Sequence, residues 1–307
     1  MRSSALTDQL VVPSYRRNGA MKLLRGMTNS PIRGVASVIL ITLVVAALFA
    51  PVVAPYDPLT IDITLQLSGP TLAHPLGTDE VGRDLLSNIL YASRISLTAG
   101  AGATALGAVF ALPLGLLAGF RRGPIDDLLM ALTDSLLSIP GMLLALSIVA
   151  ALGTSMVTLM VAIAITLTPG TIRIVRAGAL VEREKDYVLA ANALGASGMR
   201  VMVRHILPNI SSAILIQLTL GMTIAILIEA FMSYVGLGVQ PPYNSLGTLL
   251  STGYGFIGLS PWYVTFPGLF IFFIVWSLNV LGDAIRDSLD PRLRLVADAG
   301  ADAEPIP

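Results

Sequence analysis

Apolar residues run through this chain in long unbroken stretches instead of alternating with polar ones. Six stretches stand out, near 35–55, 95–120, 128–152, 156–175, 212–236 and 264–284. Each reaches the roughly 20 residues a helix needs to cross about 30 Å of hydrocarbon. Continuous apolarity favours helices over barrel strands, whose residues alternate. The fourth stretch is the weakest, because Thr166, Thr168, Pro169 and Gly170 thin out its end. The first follows a basic segment (Arg16, Arg17, Lys22, Arg25, Arg33), as a signal peptide would. Its apolar core is longer than the roughly 7–15 residues of a signal h-region, so it reads as a retained span.

The connections carry the orientation. The N-terminal tail holds six basic residues and one acidic; the connection 56–94 holds Arg83 and Arg94 against five acidic residues. Arg121 and Arg122 form the next turn, an uncharged turn follows near Gly153, and Arg176, Arg183, Lys185, Arg200 and Arg204 lie within 176–211. The connection 237–263 has no charge. Basic residues thus mark every second connection, which predicts both termini in the cytoplasm. The expected organisation is a cytoplasmic tail 1–34, a first span with its external loop over 35–94, a membrane domain over 95–290, and a cytoplasmic tail 291–307. The Asp- and Ala-rich end of that last tail fits a disordered segment. The uncharged 237–263 segment, rich in Pro and Gly, reads as an external loop ending on Trp262 and Tyr263 as interface anchors.

Composition agrees. Of 307 residues, 54% are hydrophobic and 12% charged, with a mean hydropathy of +0.79. Soluble domains carry about 25% charged residues, so lipid is the natural solvent. A net charge of zero suggests no nucleic-acid partner. Cysteine is absent, and the two histidines, His74 and His205, are far apart in sequence, so no metal site is expected. No HExxH or GxSxG motif is present, which argues against an intramembrane hydrolase. No internal repeat is visible either.

The segment 176–211 is the most informative. It reads as two short helices with a corner at Gly195, where Ala190 and Ala191 permit close approach. Ser197 is placed to cap the second helix, Arg200 and Arg204 stand at i, i+4 on one face, and Pro208 is expected to end it. Physical reading alone leaves two alternatives open: a surface helix fitted to a partner's groove, or an ordinary amphipathic connector.

These residues resemble the EAA loop of bacterial ABC importer permeases: Glu-Ala-Ala, three residues, Gly, nine residues, then Ile-x-Leu-Pro. Here the pattern falls on Leu189-Ala190-Ala191, Gly195 and His205-Ile206-Leu207-Pro208. Leu189 replaces the consensus Glu and rules out any salt bridge made from that position. His205 replaces Ile, as in the branch where Arg-His-Ile-Leu-Pro-Asn is usual. That branch is the dipeptide/oligopeptide/nickel permease group, and further stretches are similar to its C-type subunit. They are His74-Pro75-Leu76-Gly77-Thr78-Asp79-Glu80-Val81-Gly82-Arg83-Asp84, Gly236-Leu237-Gly238-Val239-Gln240-Pro241-Pro242, and Asn279-Val280-Leu281-Gly282-Asp283 with Arg286-Asp287 and Asp290-Pro291-Arg292-Leu293. Leu246 stands where the family often has Trp. The resemblance covers roughly 35–294.

It implies an all-α, type I ABC importer permease fold with six transmembrane helices in the bacterial cytoplasmic membrane. It implies a homologous second permease, two ATPase subunits and an extracytoplasmic solute-binding protein, moving peptides or peptide-like solutes by alternating access. Coupling to the ATPases would fall to Ala190, Ala191, Gly195, Ala196, Ser197, Arg200, Arg204, Ile206, Leu207 and Pro208. The sequence has no GxxxxGK[ST] phosphate loop, and its only lysines are Lys22 and Lys185. No cofactor is expected on this chain; ATP and Mg belong to the ATPase partners. The competing class is a stand-alone secondary transporter or channel.

Two ionisable residues fall well inside expected spans, where charge is costly. Asp134, followed by Ser138, either lines a path or gate or makes a structural pair with Arg173 or Arg176; the structural reading is favoured. Glu229 lies roughly 26 Å from the inner surface at 1.5 Å per residue, too far to partner Asp134, and again a structural role is favoured over a pathway one. The glycines of the second span read as helix-packing positions.

Overall fold

The computed structural model describes residues 30–289, and among them every regular element is helical. The expected tails, apart from residues 30–34, and the Asp290–Leu293 motif lie outside the described residues.

Helix α1 (Pro31–Leu48) opens on a proline, whose missing N–H is no loss in a first turn, and α2 (Ala50–Val53) continues it after Phe49. A long connection then leads to α3 (Leu85–Arg121). This helix begins well before the expected span because Asp84 caps it, its carboxylate accepting from the Ser87 N–H at 2.8 Å and from Ser87 Oγ at 2.7 Å.

The third expected span is not a single straight helix. It is built from α4 (Pro124–Leu137) and α5 (Gly141–Leu152), bent by 87°. Pro140 sits in the break. It has no N–H to continue the ladder and drives the residue before it out of helical geometry. Helix α6 (Met156–Glu182), capped by Ser155 on the Thr158 N–H at 3.0 Å, absorbs Pro169 and runs past the expected end at 175.

Next come α7 (Asp186–Ala193), α8 (Gly198–Val201), a π turn over Met202–Ile206, and α9 (Leu207–Tyr234). Residues Gly198–Tyr234 form one continuous helix. Pro208 therefore does not end the second loop helix, as its sequence position suggests. It lies in the first turn of α9, and the π turn immediately before it widens the helix where the proline ring crowds the preceding carbonyl.

The expected loop 237–263 contains a further helix, α10 (Leu246–Gly255). A reciprocal capping box starts it, with Ser245 Oγ accepting from Thr248 N–H and Thr248 Oγ1 from Ser245 N–H. Leu246 and Leu249 then enter the core. The described residues close with α11 (Pro261–Leu289). Among the described residues five helices are long and apolar enough to cross a membrane, and the bent pair makes six crossings if counted as one.

Helix α3 is the central post, packed against α6 and α9, while α11 packs on α9, α10 and α1. The close approach of α3 to α6 needs glycine. A Cβ on Gly115 would lie 2.8 Å from the Ile172 carbonyl oxygen, and one on Gly119 would lie 2.7 Å from that of Arg176.

The α2–α3 connection folds as a cap over one end of the bundle. Tyr263 is buried beneath it and donates its hydroxyl to Glu80, and the Trp262 ring lies against Gly69 and Gly77. These aromatics, expected from the sequence at the lipid interface, fasten the cap. At the opposite, basal end, Arg33 at the start of α1 pairs with Asp287 at the end of α11.

Candidate functional site

The segment joining α6 to α9 forms an elbow at the basal end. Its underside is apolar: Val188, Val201, Met202 and Ile206 are buried with Leu116, Val175 and Ala179, and Ala191, Ala196 and Phe120 pack at the edge. Arg183 Nη1 donates to the Phe120 carbonyl at 2.6 Å, closing the end of α3 onto the elbow. Arg122 pairs with Glu184 at 3.0 Å beside it. The corner is Gly195, with φ +79°, a left-handed conformation that glycine adopts without penalty.

The outer face of the elbow is open. Leu194 is 89% exposed, Met199 67% and Leu189 51%, and Ala190, Ser197, Arg200 and Arg204 are exposed beside them. Apolar side chains ringed by two arginines, on a braced platform, form a surface suited to a protein groove. Of the expected coupling residues, Ala190, Gly195, Ser197, Arg200, Arg204 and Pro208 lie on this open side. Ala191, Ala196 and Leu207 are half-buried, and Ile206 is fully buried as a support. Ser197 takes the N-cap position of α8 with extended backbone, but its side chain makes no capping bond.

Asp134 and Asp126, both on α4, are each paired with an arginine of α6. Arg173 Nη2 donates to Asp134 Oδ1 at 2.5 Å. Arg176 grips Asp126 with two bonds, at 2.5 and 2.6 Å. Asp126 lies just outside the expected third span, so sequence reading missed it; its i+8 distance from Asp134 on a helix was the available signal. Ser138 caps the end of α4 at the 87° bend and donates to the Ser135 carbonyl.

Glu229 does not meet Asp134. It is 0% exposed and accepts from Ser233 Oγ at 2.7 Å, with Ser96 of α3 and Ser245 of the α10 cap beside it. Its place is the junction of three elements near the cap.

In the cap, His74 Nδ1 lies 3.0 Å from Asp84 Oδ1, and its ring stacks on Tyr56. His205 lies at the other end of α3, near Tyr187, so the two histidines cannot share a metal ion. Asp79 accepts from the Val81 and Arg83 N–H groups at 3.0 and 2.8 Å, yet burial pushes its carboxyl up to about 6.

Comparison with known proteins agrees with this architecture. The profile of the binding-protein-dependent transport system inner membrane component matches residues 111–295, and that of the N-terminal TM domain of oligopeptide transport permease C matches residues 30–74. The di/tripeptide transport system permease protein DppC of Pseudomonas aeruginosa is 40% identical over 264 residues, 84% of this chain and 87% of its own. The probable D,D-dipeptide transport system permease protein DdpC of Escherichia coli is 39% identical over 277 residues, 90% of this chain and 93% of its own. The glutathione transport system permease protein GsiD of Pectobacterium atrosepticum is 37% identical over 260 residues, 84% of this chain and 86% of its own. Among solved structures, the inward-facing MetNI methionine ABC transporter superposes with a TM-score of 0.55 at 20% identity, covering 67% of this chain and 97% of that one. The shared fold is that of a type I ABC importer permease. With its helices, its cap and its elbow accounted for, this chain belongs to the binding-protein-dependent transport system inner membrane component family, in the C-type branch of the oligopeptide permeases, and is a multi-pass transport subunit.

Proposed function

We propose that this chain is half of the membrane channel of an ATP-driven importer for peptides or peptide-like solutes in the bacterial cytoplasmic membrane. A homologous second permease supplies the other half. Two ATPase subunits, carrying ATP and Mg, dock on the basal elbow, and an extracytoplasmic binding protein delivers solute to the cap end. The basal end, with Arg33, Arg121, Arg122, Arg183 and Lys185, faces the cytoplasm, in keeping with the positive-inside rule. Residues 35–94 build the first span and cap ahead of the 95–290 transport domain.

One observation carries this reading: the elbow pairs a buried apolar underside with an exposed outer face of Leu189, Leu194, Met199, Arg200 and Arg204. A mere connector has no use for so much apolar surface in water. Closure of the ATPase dimer would push this face, and the elbow would pass the push to α6 and α9. The two states then expose a path between the permeases first to one side and then to the other. Asp134 and Ser138, at the bend of the third span, are placed to act at an inner gate. Glu229 braces the cap end.

The test is reconstitution with its partners. Two ATPase chains should co-purify with this chain, and proteoliposomes should take up alanyl-alanine only when ATP and the binding protein are present. Uptake driven by an ion gradient with no ATPase bound would overturn the reading.

A further inference from the structure

Beside its apolar underside and the Arg183 bond to Phe120, the elbow is tied to the bundle through one hydroxyl. Tyr187, in the first turn of α7, donates its hydroxyl hydrogen to Glu182 at the end of α6, and the same oxygen accepts from Asn209 Nδ2 at 3.1 Å, in the first turn of α9. Three helices therefore meet at a single phenol oxygen. Each partner is itself held. Glu182 is buried and takes a second bond from Lys185 Nζ at 2.7 Å, and Asn209 Nδ2 also donates to the His205 carbonyl at 2.6 Å. The consensus Glu of the loop is Leu189 here, and its exposed side chain has no charge to spend on such a tie.

We propose that Tyr187 is a positioning residue for coupling, binding α7 to both α6 and α9 so that a push on α7 moves both spans as one body. The inference rests on the reading that an ATPase docks on the elbow. Apolar packing alone does not fix this geometry, because Val188 is the only fully buried residue of α7. Directional hydrogen bonds at its first turn set how α7 is rotated and how far it slides. The tie also holds across physiological pH. Burial, and then the Glu182 carboxylate, push the Tyr187 phenol above its ordinary range, so the hydroxyl keeps the proton it donates.

The test uses the complete transporter with its ATPases. The chain contains no cysteine, so Ala190→Cys gives a single site for cross-linking to the ATPase, and Asn192→Cys with Ser211→Cys gives a spin-label pair across α7 and α9. In the parent protein the label distance should stay narrow and unchanged between the nucleotide-free and ATP–vanadate states. Tyr187→Phe keeps the ring and removes the hydroxyl. It should retain the cross-link but shift or broaden the ATP–vanadate distance by about 1–2 Å or more, the scale of coupled helix shifts. Glu182→Gln keeps an acceptor and should behave as the parent; Glu182→Leu should reproduce Tyr187→Phe, and the double variant should be no worse than either. A merely structural role would alter both nucleotide states alike, which would overturn the proposal. An unchanged distance in Tyr187→Phe with the cross-link intact overturns the positioning role alone. No cross-link in the parent removes the docking reading, and the positioning role with it.

Discussion

Asp134 and Arg173 face one another at 2.5 Å between α4 and α6, and closer to the base Asp126 holds Arg176 in the same way. Asp126 and Thr133 are the only buried residues of α4. This limb of the bent span is thus held to the bundle by charge more than by apolar packing.

The two pairs should differ in worth. The Asp126 side chain is 8% exposed, while both partners of the Asp134 pair are more than half exposed. Asp126→Asn should lower stability by about 1–3 kcal/mol, since it leaves Arg176 without its counter-ion. Asp134→Asn should cost less than about 1 kcal/mol. Thermal unfolding in detergent checks both, and combining Asp126→Arg with Arg176→Asp should recover part of the loss. Equal midpoints for the two Asn variants would contradict this ranking.

Glycines of α3 should differ sharply from one elsewhere in the bundle. Gly115→Ala puts its Cβ 2.8 Å from a backbone oxygen that cannot retreat, and overpacking of this kind costs about 1–3 kcal/mol. Gly221→Ala meets nothing nearer than Thr104 Cγ2 at 3.7 Å and should be neutral or stabilising. Yield of monodisperse protein and its unfolding midpoint separate the two.

At the elbow the penalty is one of backbone geometry. No atom lies within 4 Å of a Cβ built on Gly195, yet its φ of +79° disfavours any L side chain. Gly195→Val should strain the corner by about 1–2 kcal/mol or more, whereas Gly195→Asn, which tolerates this region, should be mild. Arg200→Glu reverses an exposed charge without disturbing the core. Gly195→Val and Arg200→Glu should both insert at normal levels and lose ATP-driven uptake. Full uptake by both would refute the coupling role of this corner.

Acidification should tighten the cap. The Asp79 carboxyl is raised from 3.8 to about 6, so the folded cap prefers it protonated. The sign follows from linkage: its contribution is fully present below about pH 4 and is lost as pH rises through about 6. Glu80 beside it raises the same carboxyl further, while Arg83 and the two backbone N–H bonds lower it. Asp79→Asn should mimic the protonated form and flatten this component of the pH profile. Unfolding midpoints of the two proteins between pH 4 and 7 test it; parallel profiles would dismiss Asp79 as the source.

Much of the fold was legible because lipid leaves a chain little choice. A run such as 212–236 has no other way to satisfy its backbone than as a helix, and the corner at Gly195 announces itself. What escaped reading was geometry set by neighbours. Pro140 breaks its span while Pro169 and Pro208 are absorbed, and only the surrounding packing tells these prolines apart. Helix α10 hides among glycines because its start depends on Ser245 meeting Thr248 and on Leu246 finding the core. The Arg173 pairing of Asp134 stood among the sequence options. The Tyr187 junction did not, since its partners come from three separate helices.

Helix α3 runs for 37 residues from the cap at Asp84 to the elbow at Phe120. At 1.5 Å per residue it is about 55 Å long, almost twice the hydrocarbon thickness, so a tilt of only about 5° carries its far end through roughly 5 Å. A single helix of this length outspans the hydrocarbon. On the proposed function, a push at one mouth of the protein would reach the other without passing through any loop.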